Sequence, residues 1–137
     1  MKYIISIILF FICGITFAQR ADNLIGKYHL PNKLDVQIYK VGSKYNGKII
    51  ALNGFEDGQK NDINNDDESK KIRSLIGMEI IKGLEFDNED KEWINGEMYG
   101  PEKGMFFNLK VTKMRDKEIE VVGSKYFFWH TLVWKKL

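Results

Sequence analysis

Apolar and polar residues alternate in short segments along most of the chain, and the segments end at glycine, proline, asparagine or aspartate. Val36 and Ile38 lie on one face of an early segment, and Ile119 and Val121 lie on one face of a late segment. Alternation with a period of two predicts half-buried β-strands. Because no segment of ten or more residues keeps a helical period, the pattern predicts an all-β protein.

The spacing of these segments predicts their arrangement. Strand segments recur about every 8 to 12 residues and nearly all their connections are short, which is typical of a sandwich or a barrel. Short connections favour strands that pair with their neighbours in sequence, and closure removes exposed strand edges. We therefore predict a single antiparallel up-and-down β-barrel of about 8 to 10 strands. Its strand segments lie at 23–30, 35–41, 45–52, 78–86, 92–99, 105–112, 118–122 and 126–134.

The most apolar strand segment after the N-terminal residues follows a long polar loop. Residues 61–71 are charged and amide-rich, which predicts a surface loop. In the strand that follows, Ile81 falls on the polar face and Lys82 on the apolar face. Gly83 comes next, and a glycine inside a strand indicates a bulge or a bend.

Because Lys82 falls on the apolar face of its strand, it could pair inside the barrel with a carboxylate of another strand. Glu97 has the same parity as Trp93 and Tyr99, so it is expected to point inward. A buried carboxylate needs a partner or a raised pKa, and Lys82 also breaks its pattern inward. The hypothesis is an inward Lys82–Glu97 pair. In the alternative, a bulge or strand twist places both side chains in water.

The C-terminal segment 126–134 is apolar on both faces. Three interpretations follow from this pattern. The plain one is a terminal strand with one face in the core and the other against a loop. The others are an exposed aromatic patch that faces a partner or a membrane, and the lining of a ligand pocket.

The N-terminal residues MKYIISIILFFICGITFA combine an early lysine, a long apolar run and small residues at the end. This pattern predicts a secretory signal peptide over residues 1–18, cleaved after Ala18. The alternative is a retained anchor, but the apolar run is shorter than the about 20 residues that span a bilayer. We therefore expect export to the periplasm or secretion, with residues 19–137 as one domain and no transmembrane segment.

The charge and cysteine content of the chain limit which partners and which covalent bonds are expected. The formal net charge of the whole chain is +2, and it falls by one when Lys2 leaves with the signal peptide. Such a balance gives no electrostatic case for nucleic-acid binding. Cys13 is the only cysteine and lies within the signal peptide, so no disulfide is expected.

Residues with catalytic or metal-binding chemistry are sparse. A zinc site needs about four ligands, and His29 and His130 are far apart in sequence. The acidic residues of the 61–71 loop offer hard oxygens for Ca²⁺, but they lack EF-hand spacing. There is no Gly-x-Ser-x-Gly nucleophile motif and no phosphate-binding glycine loop. We expect no metal, no cofactor and no enzymatic activity.

The loop and the strand after it resemble the bacterial family called domain of unknown function 2147. Members show an Asp-x-x-Asn-Pro-Asp loop, a basic pair and then Leu-Ile-Gly-Leu at the start of a strand. Here Asp66 and Glu68 stand where prolines are usual, and Ser74 replaces the proline before the strand. The matching residues are Asp62, Asn65, Asp67, Lys71, Arg73, Leu75, Ile76 and Gly77.

Other segments carry the same resemblance. Residues 99–104 match the family's Tyr-x-Pro-x-x-Gly hairpin, and residues 38–40 and 45–49 match its second and third strands. Members carry a small residue and an arginine near Trp129-His130, so this chain departs from the family there. The resemblance implies a lipocalin-like barrel exported to the cell envelope, in a family without an established activity.

A closure of the barrel also follows from the resemblance. Residues 25–28, Ile-Gly-Lys-Tyr, resemble the Gly-x-Trp start of lipocalin-like barrels. Such barrels close one end by laying a C-terminal cation over the aromatic ring of the first strand. Here Tyr28 and Lys136 would be the counterparts, with Trp134 alongside.

Two non-enzymatic functions remain open at this point, and a hydrolase with convergent carboxylates in a cleft is a third alternative that no motif supports. A barrel of this size can hold one small lipophilic ligand, which favours a non-enzymatic binding protein. The alternative is an envelope structural or protein-interaction module with a filled barrel and no ligand, whose contact surface is the 53–73 loop or the aromatic segment. The candidate lining residues, each of which also suits plain core packing, are Val36, Ile38, Met78, Ile80, Trp93, Phe107, Leu109 and Val121.

Overall fold

The computed structural model describes residues 20–137, and the predicted signal peptide lies outside the described residues. Within this range eight strands form one closed antiparallel barrel, in which each strand pairs with its neighbours in sequence and β8 pairs with β1. This confirms the predicted up-and-down barrel. The strands are β1 (Gly26–His29), β2 (Asp35–Val41), β3 (Lys44–Ala51), β4 (Glu79–Asp87), β5 (Glu92–Gly100), β6 (Met105–Met114), β7 (Glu118–Lys125) and β8 (Phe128–Lys136).

The hydrophobic core lies inside the barrel, because the inward-facing residues of successive strands meet there. Burial alternates along β2, where Val36 and Ile38 are buried and their neighbours are not. A Cβ atom at Gly47 would lie 2.9 Å from Ile81, so the absence of a side chain on β3 lets Ile81 of β4 pack inward. Over residues 20–137, no helix has the length and apolar character to cross a membrane.

One end of the barrel is closed by the residues before β1. Residues 20–25 are a short segment, helical over 20–22, that turns into β1, and its Leu24 is fully buried. The Tyr45 hydroxyl donates a hydrogen bond to the Asp22 carboxylate over 2.6 Å. The Trp93 indole donates to the Ala21 carbonyl oxygen over 3.0 Å. These bonds fix the turn across the end that carries the β2–β3 and β4–β5 turns, which we call the closed end.

The closing pairing of β1 with β8 is short. Tyr28 lies opposite Lys136, and His29 lies opposite Lys135. The Tyr28 ring and Trp134 are both buried, and the Tyr28 hydroxyl donates to the Leu24 carbonyl oxygen over 2.8 Å. Tyr28 and Lys136 are therefore cross-strand neighbours, and Trp134 precedes Lys136 by two residues on β8. That Lys136 covers the Tyr28 ring stays a prediction.

The predicted inward Lys82–Glu97 pair is wrong. The two residues are cross-strand partners, but both are exposed on the outside of the barrel. In β5 the pairing register shifts between Trp93 and Gly96, and Asn95 has a left-handed φ of 62°. This bulge reverses the alternation after Trp93, so Gly96 and Met98 face inward and Glu97 faces outward.

A matching irregularity explains Lys82. Ile81 is fully buried and Leu84 is buried three residues later, while Lys82 between them is exposed. Gly83 has a φ of 76°, which bends β4 at this point. The sequence indicated a bulge at Gly83, but the side on which the charged residue would emerge depends on the three-dimensional path of the strand.

Alkaline pH is expected to weaken the fold through Tyr28. Burial raises the pKa of Tyr28 from 10.0 to about 12. The stabilisation that this shift represents is complete below pH 10 and is lost as the pH rises toward 12, because the unfolded tyrosine ionises first. Tyr28 alone should lower the free energy of unfolding by about 1.4 kcal/mol between pH 8 and pH 11. Urea unfolding at both pH values measures this, and Tyr28→Phe should show a smaller pH-dependent loss than the wild type.

Candidate ligand cavity

A cavity of about 160 Å³ lies inside the barrel at the end opposite the closed end. Its wall is mostly apolar and includes three of the predicted lining residues, Phe107, Leu109 and Val121. Leu132 and Trp134 of β8 complete the apolar wall, and Pro31 and Asn32 of the β1–β2 turn border it. A cavity of about 150 Å³ with apolar walls can stay dry and accept a benzene-sized group.

The cavity opens into an apolar groove of about 320 Å³. The two share Gly100, Glu102, Phe107, Gly123 and Leu132, so the groove is the mouth of the cavity. A Cβ atom at Gly123 would lie 3.2 Å from the Phe107 ring, so the ring lies over the bare backbone of β7. Phe128, His130, Lys103 and Lys125 line the outer part of the groove.

The other predicted lining residues lie elsewhere. Val36, Ile38 and Trp93 are buried in the packed core, and Trp93 lies at the closed end through its bond to Ala21. Met78 and Ile80 line a different cleft on the outside of the barrel. The alternation in the sequence identifies inward-facing positions, but it does not show which of them pack against each other and which border an empty volume.

Glu102 is a polar residue at this site that the sequence did not single out. It lies in the β5–β6 turn, and its side chain borders both the cavity and the groove. A Cβ atom at Gly100 would lie 3.1 Å from Glu102 Oε1, so the carboxylate lies directly over the glycine backbone. Its other oxygen, Oε2, is buried and has no hydrogen-bond partner within residues 20–137. The Tyr-x-Pro-x-x-Gly motif contained this position, but as an unspecified residue.

The β5–β6 turn is held in place by the polar loop between β3 and β4. The Asn64 side-chain amide donates to the carbonyl oxygens of Pro101 and Glu102 over 3.0 and 3.1 Å. A Cβ atom at Gly104 would lie 1.9 Å from the Asn64 carbonyl oxygen, so the loop and the turn are in backbone contact. The two family motifs are therefore adjacent in space, which the sequence alone did not indicate.

Asp62 anchors the same loop. Although the loop was expected to be solvated, Asp62 is only 1% exposed. It accepts hydrogen bonds from the Tyr99 hydroxyl over 2.7 Å and from the Asn65 side-chain amide over 2.8 Å. Burial, together with the bond to Asp62, raises the pKa of Tyr99 above its ordinary value. Two residues of the family loop thus hold the loop against β5.

Asp67, Lys71 and Gly77 of the family motif lie nearer to solvent than Asp62 does. Asp67 accepts a hydrogen bond from the Ser69 backbone over 3.0 Å and so caps the short turn Glu68–Lys70. Lys71 forms an ion pair of 2.8 Å with Glu68. Gly77 has a φ of 83°, a conformation that favours glycine. Their arrangement shapes the loop and places none of them in the cavity.

A larger cleft of about 570 Å³ lies between this loop and the outer face of β4 and β5. Lys82 and Glu97 border it together with Arg73 and Glu79. The Tyr39 hydroxyl donates to the Glu79 carboxylate at the edge of the same region. Because charges of both signs line this cleft, it offers less apolar surface to a lipophilic ligand than the cavity and groove do.

Different residues of the C-terminal aromatic segment fit each of the three interpretations given above. Trp134 is in the core, and Phe128, His130 and Leu132 line the groove. The hairpin tip, which we define as Tyr126–Trp129, is exposed to solvent, with side-chain exposures of 88%, 90%, 75% and 70% along it. Tyr126 has a φ of 56°, which is uncommon for a bulky residue.

Within residues 20–137, no group of three or more histidine, cysteine, aspartate or glutamate side chains is placed to hold a metal ion. His29 instead contacts Asp35, with 2.6 Å between Nδ1 and the carboxylate oxygen. His130 lies in the groove.

The closed eight-stranded barrel has a lipocalin-like fold. Its structure is similar to a solved protein described as "Protein HP1028 from the human pathogen Helicobacter pylori belongs to the lipocalin family", with a TM-score of 0.73 and 20% sequence identity. The match covers 83% of this chain and 82% of that one. This likeness confirms the lipocalin-like fold.

The chain belongs to the family described as "Uncharacterized protein conserved in bacteria (DUF2147)", whose model matches residues 26–136. The match spans the whole barrel from β1 to β8, which confirms the family resemblance of the sequence motifs. No curated protein matches the chain significantly.

Proposed function

We propose that this protein is exported and acts as a non-enzymatic binder of a small hydrophobic ligand at the open end of its barrel. The observation that carries the proposal is the apolar cavity of about 160 Å³ that opens into a groove of about 320 Å³. Barrels of about eight strands are of the size that holds one small ligand. The signal-peptide pattern of residues 1–18 supports export.

The sizes of the two volumes define how a ligand would lie. The cavity alone is smaller than the roughly 300 to 1,000 Å³ of ordinary ligand pockets, whereas the groove falls within that range. A ligand would therefore place one apolar end inside the barrel, between Leu109 and Val121, and the rest along Phe107 and Leu132 in the groove. Native mass spectrometry of the protein purified without detergent would show such a ligand as an adduct that solvent extraction removes.

Filling the cavity is expected to abolish binding. Val121→Phe adds a ring at a position that is 1% exposed and borders the empty volume, so it should occupy the ligand's space. We expect binding of the neutral fluorescent probe N-phenyl-1-naphthylamine to weaken at least about tenfold, with about 1 to 2 kcal/mol lost in stability. Val133→Phe is the matched control, because Val133 lies on β8 outside the lining of the cavity. Equal affinities of wild type and Val121→Phe would contradict the proposed site.

A second candidate function is contact with a lipid surface through the hairpin tip. Four consecutive aromatic side chains, including Tyr126 and Trp129, are exposed there. Tyrosine and tryptophan favour the boundary between lipid and water because their rings are apolar and carry a polar group. Lys103 and Lys125 border the adjacent groove and add positive charge that suits anionic headgroups. On this proposal the barrel is an envelope interaction module, with or without a ligand.

Removing the rings tests this candidate directly. The double variant Phe127→Ser, Trp129→Ser should reduce co-sedimentation with phosphatidylglycerol and phosphatidylethanolamine vesicles at least about fivefold, since two large apolar surfaces are lost. Ile72→Ser is the control, because Ile72 is an 83% exposed apolar residue of the β3–β4 loop and is not part of the aromatic tip. If the wild type stays in the supernatant, or if the double variant sediments equally, the lipid contact is wrong.

A further inference from the structure

We propose that the ligand of the cavity carries a hydrogen-bond-donating head, a hydroxyl or an ammonium group, which Glu102 Oε2 receives. Ligands whose head is a carboxylate are disfavoured at the same place. This inference rests on the proposed binding function and adds the chemical class of the ligand to it.

The position of Glu102 is the first argument. Its side chain borders the cavity and the groove at the point where the two join. The residues around this junction are otherwise apolar or glycine, among them Phe107 and Leu132. A ligand that passes from the groove into the cavity therefore meets one carboxylate within an apolar wall. In an apolar pocket, a small number of polar groups fixes the orientation of the ligand and selects its head group.

Glu102 Oε2 is also free to accept a hydrogen bond from a ligand. Oε2 is buried and accepts no hydrogen bond within the described residues, although nearly all buried polar atoms of proteins have a partner. A buried acceptor without a donor destabilises the protein, and more so when it is charged. A ligand that brings a hydroxyl or ammonium hydrogen to Oε2 would remove this destabilisation. A ligand carboxylate would bring a second acceptor of like charge and would not.

The fixed backbone is the third argument. The Glu102 carbonyl oxygen accepts a bond from Asn64, and the Gly104 amide closes the turn by donating to the Gly100 carbonyl oxygen over 2.8 Å. The carboxylate rests on Gly100, where no side chain intervenes. Because the turn is held on both sides, the acceptor is in place before a ligand arrives.

Two nearby lysines could instead bind a ligand whose head group is a carboxylate. Lys103 and Lys125 border the outer groove, and Lys125 donates to the Phe106 carbonyl oxygen over 2.8 Å. Both lie in the groove and neither borders the cavity. A carboxylate ligand could pair with them only by keeping its head at the rim. The relative affinities of ligands that differ only in the head group therefore separate the two arrangements.

The test uses three ten-carbon probes: decylamine, decanol and decanoate. Isothermal titration calorimetry at pH 7.5 should show wild-type protein binding decylamine and decanol at least about tenfold more tightly than decanoate, as expected for one recovered hydrogen bond to a charged acceptor. Glu102→Gln keeps the shape but removes the charge, so the preference for decylamine over decanoate should fall about tenfold. Glu97→Gln is the matched control, because Glu97 is exposed outside the barrel. If decylamine and decanol both bind more tightly than decanoate, the head group binds through a hydrogen bond. If only decylamine binds more tightly than decanoate, it binds through charge pairing. Either result supports the assignment to Glu102.

Failure of the proposed binding function and failure of the head-group assignment give different results in this experiment. If wild-type protein with intact circular dichroism binds none of the three probes, the binding function itself is wrong, and this inference falls with it. If the probes bind but decanoate binds as tightly as decylamine and decanol, or if Glu102→Gln leaves the preference unchanged, the head-group assignment is overturned while the binding function stands.

Discussion

Gly104→Ala is expected to lower the free energy of unfolding by about 3 to 5 kcal/mol. The new methyl group would lie 1.9 Å from the Asn64 carbonyl oxygen, a distance at which backbone must move. Moving the loop would also strain the bonds from Asn64 to Pro101 and Glu102. Gly104 has a φ of 66°, which adds a smaller cost for any residue with a Cβ atom. Urea unfolding followed by circular dichroism measures the loss.

Gly42→Ala separates the two costs. Gly42 has nearly the same φ, 63°, but a Cβ atom there would meet nothing within 4 Å. It should therefore show only the backbone cost, about 1 to 2 kcal/mol. If the two variants lose the same stability, the contact between the loop and the β5–β6 turn is not what makes Gly104 necessary. We also expect Gly104→Ala to weaken ligand binding, since that turn carries Glu102.

Asp62→Ala is expected to lower the free energy of unfolding by about 2 to 4 kcal/mol. The substitution removes an acceptor that two groups use, the Tyr99 hydroxyl and the Asn65 amide. Since Tyr99 is 5% exposed, its hydroxyl would be left without a partner in a buried place. Chemical unfolding gives the magnitude. Asp66→Ala is the control on the same loop, because Asp66 is exposed and its loss should cost less than about 0.5 kcal/mol.

A double-mutant cycle tests whether Asp62 acts through Tyr99. Tyr99→Phe removes only the hydroxyl, so the loss on Asp62→Ala should be smaller in the Tyr99→Phe background than in the wild type. A coupling energy of about 1 kcal/mol or more is expected for residues in direct contact. Strict additivity of the two losses would show that the 2.7 Å hydrogen bond does not hold the loop to β5.

The barrel was predictable from the sequence because its strands pair with their neighbours. Each hairpin has a local signature in the sequence, an alternation on both sides of a turn such as Gly42-Ser43, and seven such hairpins in a row join the eight strands. Closure then follows because it removes the two exposed edges. The inward residues Val36, Ile119 and Val121 followed from alternation alone. The family resemblance then gave the lipocalin-like identity of the barrel.

The prediction was wrong where the backbone leaves the regular strand. One extra residue at Asn95 reverses the alternation, and although Gly96 follows it, the alternation of the strand was followed through this Asn-Gly pair without a bulge. Gly83 did announce a bend, but the emergence of Lys82 on the outside depends on how Ile81 packs over Gly47 of the neighbouring strand. Contacts between strands decide such details, and a single sequence does not record them.

The cavity could be predicted only in part, for the same reason. Alternation identified Phe107, Leu109 and Val121 as inward-facing, and they do border the cavity. It identified Val36 and Ile38 equally well, and those are packed in the core. Glu102 was missed because a charged residue in a turn is normally solvated, and only the fold turns its carboxylate back over Gly100.

The closing pairing of β1 with β8 has a consequence for how the chain can be rearranged. The Leu137 amide donates to the Lys27 carbonyl oxygen over 3.0 Å, so the last residue lies beside the first strand, at the closed end. The β2–β3 turn at Gly42-Ser43 lies at that end as well. A circular permutant that joins the C-terminus to the turn before β1 and begins at Ser43 would keep every strand pair and leave the cavity end untouched. The order of the strands is thus a ring, and ligand binding should be independent of where that ring is cut at the closed end.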